Sequence, residues 1–551
     1  MATDLAPAPA PAPAPSPVAV EAPPALLHAE RAGIGLAVRQ IWLGAVVVLA
    51  SIGFLLWAGS EAYNKSAEQG GGIMTALADN PAVRAIYGLP TAISTVGGFT
   101  VWRVALFVTL LGTVWIALAT TRVLRGNEES GRLDLVLANP ISLMRSTVTN
   151  LVAVMAVPVL AALLTALVLL AAGAETGGSW LYGAGLGLLL ATFAGVAALA
   201  SQFLPERRRA AGITMGVLFA TFVLHMWADG GTNAQWARWL SPFGWLENLH
   251  AFGGNETLPL IPLAVAPVVL VAAALALVTR RDEGAGLVRA DDTKRGGTAM
   301  LSGPLSFSIR QRAGELIAWA AAVAVLGIMS GGLAESLVGF PQTQPQAMQM
   351  LSQVGMAEAV TPGGFIAVMN IFYAVVLAGY AISCLHGLYD DEITNRLDLP
   401  YSNSVTRTGW SGSTVVTTTA GLVALTVVLG AGTWLGSIFS GAGLSAGDSF
   451  SSAANVLPVP VMFLGLAVLF HGIRPSWTIG VVGVLAIGLY LVDLIGPALS
   501  WPTWVVDLSP YQHLALVPVQ SAAWTATVVI LAIAVTAGAI GLATYARRDL
   551  Q

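Results

Sequence analysis

Long apolar runs alternate with short polar segments along almost the whole chain. An apolar run of about 17–25 residues crosses roughly 30 Å of hydrocarbon when it forms a helix. We predict twelve such spans, near residues 41–58, 101–121, 148–172, 180–203, 211–228, 258–279, 313–333, 365–387, 413–437, 455–471, 477–496 and 520–545. The pattern therefore predicts an all-α polytopic membrane protein.

The composition agrees with membrane insertion and excludes several classes of protein. Hydrophobic residues make up 56% of the chain and charged residues 10%, whereas a soluble domain carries about 25% charge. No basic block of the kind that binds a phosphate backbone is present, so we expect no nucleic-acid partner. The single cysteine, Cys384, excludes a disulfide framework and a multi-thiolate metal site. We expect no metal ion and no catalytic residue in this chain.

The basic residues predict the orientation in the membrane. Of the 25 lysines and arginines, 21 lie in segments on the same side as the N-terminus, and only Lys65, Arg84, Arg103 and Arg238 lie on the other side. Positive charge marks the cytoplasmic side. We therefore predict that both termini are cytoplasmic and that the chain resides in a bacterial plasma membrane.

Four landmarks recur in the same order, displaced by 264–271 residues. They are Arg39-Gln40 and Arg310-Gln311, Gly97-Gly98-Phe99 and Gly363-Gly364-Phe365, residues 128–142 and 392–406, and Leu240-Ser241-Pro242-Phe243 and Leu508-Ser509-Pro510-Tyr511. Such recurrence indicates duplication, and an even number of spans per copy makes the copies parallel. We predict a disordered Ala/Pro-rich tail (1–25), a first six-helix half (26–280), a cytoplasmic linker (281–303) and a second six-helix half (304–551).

The loop after spans 2 and 8 is the most informative repeat. It reads EESGRLDLVLANPIS in the first copy and EITNRLDLPYSNSVT in the second. A Glu four residues before an Arg forms a favourable pair on a helix, and the leucines add an apolar patch, so we predict a short amphipathic helix. It either lies on the membrane with its arginines on lipid phosphates or docks a protein. The acids retained in both copies favour docking.

These features resemble the membrane permeases of ABC-2-type exporters. The first-copy loop, the six spans per half and the Leu-Ser-Pro-Phe segment after span 5 carry the resemblance, which is closest to fused-half permeases of actinobacterial polyketide-antibiotic or drug exporters (tetronasin type). The resemblance implies that loops 122–146 and 388–410 are coupling helices seated in two copies of a separate ATPase, which binds ATP and Mg. The coupling residues implied are Glu128, Glu129, Arg132, Asp134, Glu392, Arg396 and Asp398.

The chain has no Gly-x-x-x-x-Gly-Lys-Ser/Thr phosphate loop, so we expect that it does not hydrolyse ATP by itself. The resemblance implies export of hydrophobic or amphipathic compounds along a path between the halves, lined by spans 2, 5, 8 and 11. The candidate lining residues are Phe107, Trp115, Phe222, His225, Met226, Phe372, Tyr373 and Tyr490. Aromatic and Met side chains adapt to varied apolar ligands, although ordinary helix packing would also use them.

Two carboxylates stand at equivalent positions. Asp229 and Asp493 differ by the repeat offset of 264, and each closes the outer end of its span. A carboxylate within a membrane is a functional candidate, whereas one at headgroup depth is simply solvated; both interpretations are open. His225 lies one turn before Asp229, but a metal site would need further ligands that the sequence does not reveal.

Further expectations concern the loops and the competing functions. Pro242 and Pro510 should start or break short helices on the outside, which either re-enter the membrane and cap the path or form a purely structural belt at the interface. Glu315 should pair with Arg310 or Arg312. A secondary, ion-coupled multidrug transporter would place acids near mid-membrane. A membrane-embedded enzyme would cluster its His and carboxylate residues, yet the six His are scattered. The repeated coupling-like loops favour the exporter permease.

Overall fold

A computed structural model describes residues 23–68, 84, 87–137, 141–230, 234–281, 286–287, 303–338, 360–393, 405–497, 499 and 501–548. Most of the predicted tail and most of the predicted linker lie outside these residues. The coupling candidates Arg396 and Asp398 lie outside them as well.

Within the described residues, twelve helices are long and apolar enough to cross a membrane, which confirms the predicted all-α, twelve-span class. We number them spans 1 to 12. They are Ile34–Asn64, Val96–Glu129, Leu143–Ala171, Thr176–Phe203, Arg207–Gly230, Leu260–Val278, Pro304–Leu337, Pro362–Tyr389, Arg407–Ser440, Ala446–Ile473, Pro475–Ile495 and Trp524–Arg547. Span 10 contains two helices, Ala446–Val456 and Pro458–Ile473, because Pro458 cannot donate the backbone hydrogen bond that would continue the first helix.

The helices of the two halves pack in the same order. In the first half, span 3 contacts spans 1 and 4, and span 4 contacts span 6; in the second half, span 9 contacts spans 7 and 10, and span 10 contacts span 12. Span 2 touches spans 1, 4 and 5, and span 8 touches spans 7, 10 and 11 in the same way. Each set of six spans thus buries its own apolar core.

The loop after span 2 differs from its prediction. We predicted one amphipathic helix running from Glu128, but Glu128 and Glu129 are the last residues of the helix Val96–Glu129. Gly131, at φ +66°, then turns the chain, and a separate helix begins at Arg132 and ends at Leu137. Glycine adopts this left-handed conformation without a Cβ clash, so it commonly ends helices. Glu128 and Arg132 therefore lie on different helices.

Spans 7 and 9 approach one another through glycines. A Cβ on Gly331 would lie closer to the Thr433 carbonyl oxygen than the 3.0 Å that real Cβ atoms keep, and a Cβ on Gly436 would do the same against Ile328. Lipid tails are as apolar as the helices, so close backbone packing rather than the hydrophobic effect holds such helices together. The neighbouring Gly332 faces open space.

We expect Gly331→Ala to destabilise the protein, because the added methyl group must push span 9 away. Overpacking of this kind costs about 1–3 kcal/mol. Thermal unfolding of the purified chain in detergent, followed by tryptophan fluorescence, measures the effect. Gly332→Ala is the matched control and should leave the melting temperature unchanged or slightly raised; equal losses in both variants would contradict the packing shown here.

Candidate functional site

At one end of the bundle, a buried carboxylate joins three helix ends of the first half. We call this end, where span 1 begins and spans 2, 4 and 6 end, the arginine-rich end. Glu128 accepts a hydrogen bond from Arg125 (Nη1 to Oε2, 2.6 Å) and forms an ion pair with Arg281 (Nη2 to Oε1, 2.5 Å). Arg281 also donates from Nε to Gln202 Oε1 at 2.8 Å. Spans 2, 4 and 6 are therefore connected by one buried polar network.

The second half repeats this network with the equivalent glutamate and arginine. Glu392, at the end of the helix that contains span 8, forms an ion pair with Arg548, which follows span 12. Arg548 also donates from Nη1 to the His471 carbonyl oxygen of span 10 at 2.8 Å. The carboxylate again joins the ends of the second, fourth and sixth spans of its half. We call the two networks the glutamate clamps.

Two of the sequence landmarks meet beside each clamp. Gln40 of span 1 donates from Nε2 to Asn127 Oδ1 at 2.8 Å, and Gln311 of span 7 donates to Asp391 Oδ2 at 3.1 Å. Asn127 and Asp391 immediately precede the clamp glutamates. The glutamine of each Arg-Gln repeat therefore contacts the residue that directly precedes the loop repeat of its own half.

Sequence reasoning missed the arginines of the clamps. Arg281 and Arg548 each follow the sixth span of their half, 267 residues apart, and that repeat was the available signal. We predicted that Glu128 pairs with Arg132, but helical spacing holds only within one helix, and Gly131 ends that helix.

The clamp divides the coupling candidates into two groups. Glu128 and Glu392 point into their halves, with side chains only 6% and 8% exposed. Arg132 and Asp134 are exposed on the short helix, and Leu133 between them is buried. In the same loop, Glu129 is exposed and accepts a hydrogen bond from the Arg207 backbone N–H. The coupling role of all these residues stays a prediction.

An ion pair between the halves replaces a predicted local one. Glu315 of span 7 pairs with Arg208 of span 5, rather than with Arg310 or Arg312, and accepts a 2.6 Å hydrogen bond from Ser383. Arg312 instead donates to the Cys384 carbonyl oxygen at 2.7 Å. The local pair was wrong because span 5 brings a closer arginine from the other half.

Aromatic side chains from both halves meet between them. The Phe107 ring of span 2 lies 6.2 Å from that of Tyr490 on span 11, which lies 6.0 Å from Phe372 on span 8. Tyr373 adjoins Phe372 at 5.6 Å. Tyr511, which the sequence analysis did not select, lies 5.5 Å from Tyr490. We call these five residues the inter-half aromatic cluster.

A small cavity and a separate packing contact complete this region. A cavity of about 20 Å³ lies beside Phe107, between spans 1, 2 and 11. Trp115 was predicted to line the same path, but its indole packs against Gly44 of span 1. Phe107, Phe372, Tyr373 and Tyr490 are thus brought together, and Trp115 contacts span 1 instead.

The remaining pathway candidates of the first half, Phe222, His225, Met226 and Asp229, lie at its opposite end. Residues Gln235–Glu247, which we call the LSPF segment, form a 3₁₀ helix and then a short α-helix with Pro242 in its first turn. Pro242 suits that position because the first N–H groups of a helix have no helical partner. Ser241 donates to the Thr221 carbonyl oxygen at 2.8 Å, which holds the segment against span 5.

Four ionisable side chains meet where the LSPF segment contacts span 5. Asp229 Oδ1 lies 2.5 Å from Arg238 Nε, and Asp229 Oδ2 lies 3.2 Å from His225 Nδ1. Glu247 Oε2 lies 3.6 Å from the same histidine nitrogen. Asp229 is only 2% exposed, so of the two interpretations left open for it, solvation at headgroup depth does not apply.

A cavity of about 80 Å³ adjoins this group. His225 and Glu247 line it together with aromatic residues, namely Tyr87, Trp102, Tyr182, Phe222 and Phe243. Met226 is buried in the surrounding core. Burial and the neighbouring Asp229 carboxylate raise the pKa of the Glu247 carboxyl to about 7. The sequence offered no spacing signal for Glu247, because it lies at the end of the LSPF segment and not on the helix of span 5.

The second half does not repeat this group. Leu489 and Ala515 stand at the positions equivalent to His225 and Glu247, so Asp493 lacks both neighbours. The short helix there is Thr503–Val506, and Pro510 lies in a turn after it. The two halves are therefore alike at the arginine-rich end and unlike at the opposite end.

Twelve apolar helices, with glutamate clamps at one end and aromatic residues between the halves, make up a multi-pass membrane protein in the part of the chain that the structure describes. The family described as "Multidrug efflux system permease Rv1217c, C-terminal domain" matches residues 34–278 and 301–546, and the chain belongs to this family. It is 27% identical over 482 residues to "Multidrug efflux system permease protein Rv1217c" of Mycobacterium tuberculosis, covering 86% of each chain. The predicted resemblance is confirmed for an efflux permease; the tetronasin type stays a prediction.

We expect Glu128→Ala to destabilise the chain strongly, because it leaves Arg125 and Arg281 buried without their carboxylate. Breaking a buried pair on one side costs about 3–5 kcal/mol. Thermal unfolding in detergent should show a large loss, and Glu392→Ala should show the same in the second half.

Glu206→Ala is the control, because Glu206 pairs with Arg209 at 3.0 Å while both side chains are about half exposed. Exposed pairs contribute about 0–1 kcal/mol. A small loss in Glu128→Ala, no larger than that in the control, would show that the clamp does not hold the helix ends.

Proposed function

We propose that this chain is the permease subunit of an ATP-driven exporter for hydrophobic or amphipathic compounds such as drugs or polyketide antibiotics. A separate ATPase, in two copies that bind ATP and Mg, docks on loops 122–146 and 388–410. The arginine-rich end faces the cytoplasm of a bacterium. The observation that carries the proposal is the short helix Arg132–Leu137, exposed at the arginine-rich end and joined to a buried clamp.

The glutamate clamp of the first half links the short helix Arg132–Leu137, which we call the docking helix, to the spans. Leu133 is buried while Arg132 and Asp134 are exposed, so the helix has one face for the bundle and one for a partner. Arg132, the first residue of this helix, is four positions from Glu128, so movement of the helix is transmitted along the chain to Glu128. Glu128 contacts Arg281 at the end of span 6, and Arg281 contacts Gln202 at the end of span 4, so the movement is transmitted to both spans. A docked ATPase could therefore shift several helices at once.

The charges of the docking helix support a protein partner over lipid. Arg132 and Asp134 present both signs on one short helix. Anionic lipid headgroups attract arginine but repel a carboxylate. Paired surfaces of mixed sign are instead typical of specific protein interfaces. Membrane lipid remains the environment of the spans, not the partner of this loop.

The inter-half aromatic cluster suits an apolar substrate. Phe107 and Tyr490 belong to different halves, and their contact lies where relative movement of the halves would separate the rings. Ligand sites are mainly apolar and aromatic, with few polar groups. The name of the mycobacterial relative, a multidrug efflux permease, supports this substrate class.

A secondary multidrug transporter is the second candidate, and the buried Asp229–Glu247 pair beside a cavity favours it. Export by the purified chain in proteoliposomes separates the two. An ABC permease needs the ATPase and ATP, whereas a secondary transporter works with an ion gradient alone.

We expect Arg132→Glu to weaken ATPase docking roughly tenfold or more, because like charges facing each other across an interface cost more than about 1.4 kcal/mol. Copurification of the ATPase with the tagged chain, and its substrate-stimulated ATP hydrolysis, measure the loss. Arg209→Glu is the control, because Arg209 is also exposed at the arginine-rich end but lies in the first turn of span 5. Wild-type copurification and turnover in Arg132→Glu would reject the docking assignment.

We expect Phe372→Ala to change the spectrum of compounds exported, because an aromatic pair contributes about 0.5–1.5 kcal/mol to a contact. Drug resistance of cells with equal amounts of permease in the membrane should shift several-fold for some compounds. Phe439→Ala is the control, since Phe439 is 81% exposed on span 9. The pathway assignment fails if both variants keep the resistance profile of the wild type.

A further inference from the structure

Three metal-ligating atoms converge at the opposite end of the first half. They are His225 Nδ1, Asp229 Oδ2 and Glu247 Oε2, and all lie within 4.8 Å of one another. Each is buried, and none of the three accepts a hydrogen bond from a donor group among the described residues. Buried polar atoms are nearly always satisfied. Three lone-pair atoms without a donor around one point therefore make a candidate cation site.

The second oxygen of each carboxylate is already held. Asp229 Oδ1 accepts from Arg238 Nε at 2.5 Å, and Glu247 Oε1 accepts from the Leu89 backbone N–H. One oxygen of each group is thus left to face the histidine. Protein carboxylates that bind metals are oriented in this way, by hydrogen bonds to the oxygen that does not bind.

The distances fit a small tetrahedral cation. Zn²⁺ binds N and O ligands at about 2.0–2.2 Å, which sets tetrahedral ligand atoms about 3.3–3.6 Å apart. The distances from His225 Nδ1 are 3.2 Å to Asp229 Oδ2 and 3.6 Å to Glu247 Oε2. An imidazole ligand also favours Zn²⁺ over Mg²⁺ or Ca²⁺, which take oxygen ligands.

The charge balance around Glu247 favours binding of a cation. Arg238 pairs with Asp229, and the Arg84 guanidinium also acts electrostatically on that carboxylate. Arg238 lies 3.8 Å from Glu247 Oε2, too far for a hydrogen bond. Glu247 thus has no hydrogen-bonded cation, and a buried carboxylate without one is costly. A divalent cation would compensate it and also satisfy His225.

We propose that His225, Asp229 and Glu247 bind one divalent transition-metal cation of the Zn²⁺ class. The adjoining cavity of about 80 Å³ provides space for a water as the fourth ligand. Two ligands belong to span 5 and the third to the LSPF segment, so a bound metal would hold that segment against the span. The site is independent of the ATP-driven export proposed above. It belongs to the first half alone, because Leu489 and Ala515 replace two of its ligands in the second.

Zinc binding by the full-length chain tests the proposal. The chain is purified in detergent, stripped with a chelator and titrated with ZnCl₂ in a calorimeter; Co²⁺ absorption then reports tetrahedral coordination. We expect one zinc per chain. Glu247→Gln and Asp229→Asn should weaken binding by more than the roughly 10–100-fold that loss of an outer hydrogen-bond partner costs.

Two controls match the ligands. Asp493→Asn removes the equivalent carboxylate of the second half. His250→Gln breaks a His–carboxylate pair, with Glu256 at 3.5 Å, that has no third ligand among the described residues. Neither should change zinc binding. Size-exclusion profiles establish that each variant is folded.

The wild-type titration decides the matter even if a variant does not fold. Absence of stoichiometric zinc in the wild type overturns the proposal. Zinc that binds only after Arg238→Gln overturns it too, because the guanidinium would then be the one cation that the carboxylates share. Neither result depends on transport, so failure here leaves the exporter proposal standing, and failure of export leaves the metal site standing.

Discussion

A buried glutamate at the end of the second span of each half connects the helices on which the proposed mechanism depends. Glu128 and Glu392 each accept hydrogen bonds from an arginine that follows the sixth span of the same half. Charges buried in a bundle are stable only when paired, and a paired charge fixes the helices that carry it. Because the carboxylate points inward, the arginine and aspartate that follow Glu128 on the next helix remain exposed. Anchoring and docking are thus divided between neighbouring residues of one motif.

The two halves keep this clamp but differ at the opposite end. The clamps use equivalent glutamates and the same three helix ends, and each adjoins a glutamine from the first span of its half. The proposed docking of two identical ATPase subunits would preserve such likeness. At the other end, the first half has a buried cluster around Asp229, whereas Asp493 stands without the corresponding histidine and glutamate. The path proposed between the halves would therefore meet two unlike walls at this end.

The sequence predicted many of the residues of the candidate site, but it did not predict which of them contact one another. Phe107, Phe372 and Tyr490 were selected because their spans were expected to face the path, and their rings do meet. Trp115 satisfied the same rule and packs against span 1, because rotation of a helix within a bundle is set by its neighbours rather than by its own pattern. Glu247 could not be selected at all, since it reaches Asp229 only after the chain reverses through the LSPF segment.

The sequence by itself determined the twelve spans and the repeated order of landmarks. Apolar length and the offset between copies are properties of the chain that need no knowledge of contacts. Only the tertiary structure decided which charges meet. The glutamate clamps join residues about 150 positions apart, and the Asp229 cluster joins a span to a segment beyond a loop. The physical reason is that an ion pair depends on distance in space, and that distance is set when the helices pack. The repeat offset marked Glu128 and Glu392 as equivalent, but packing alone made each of them the anchor of its half.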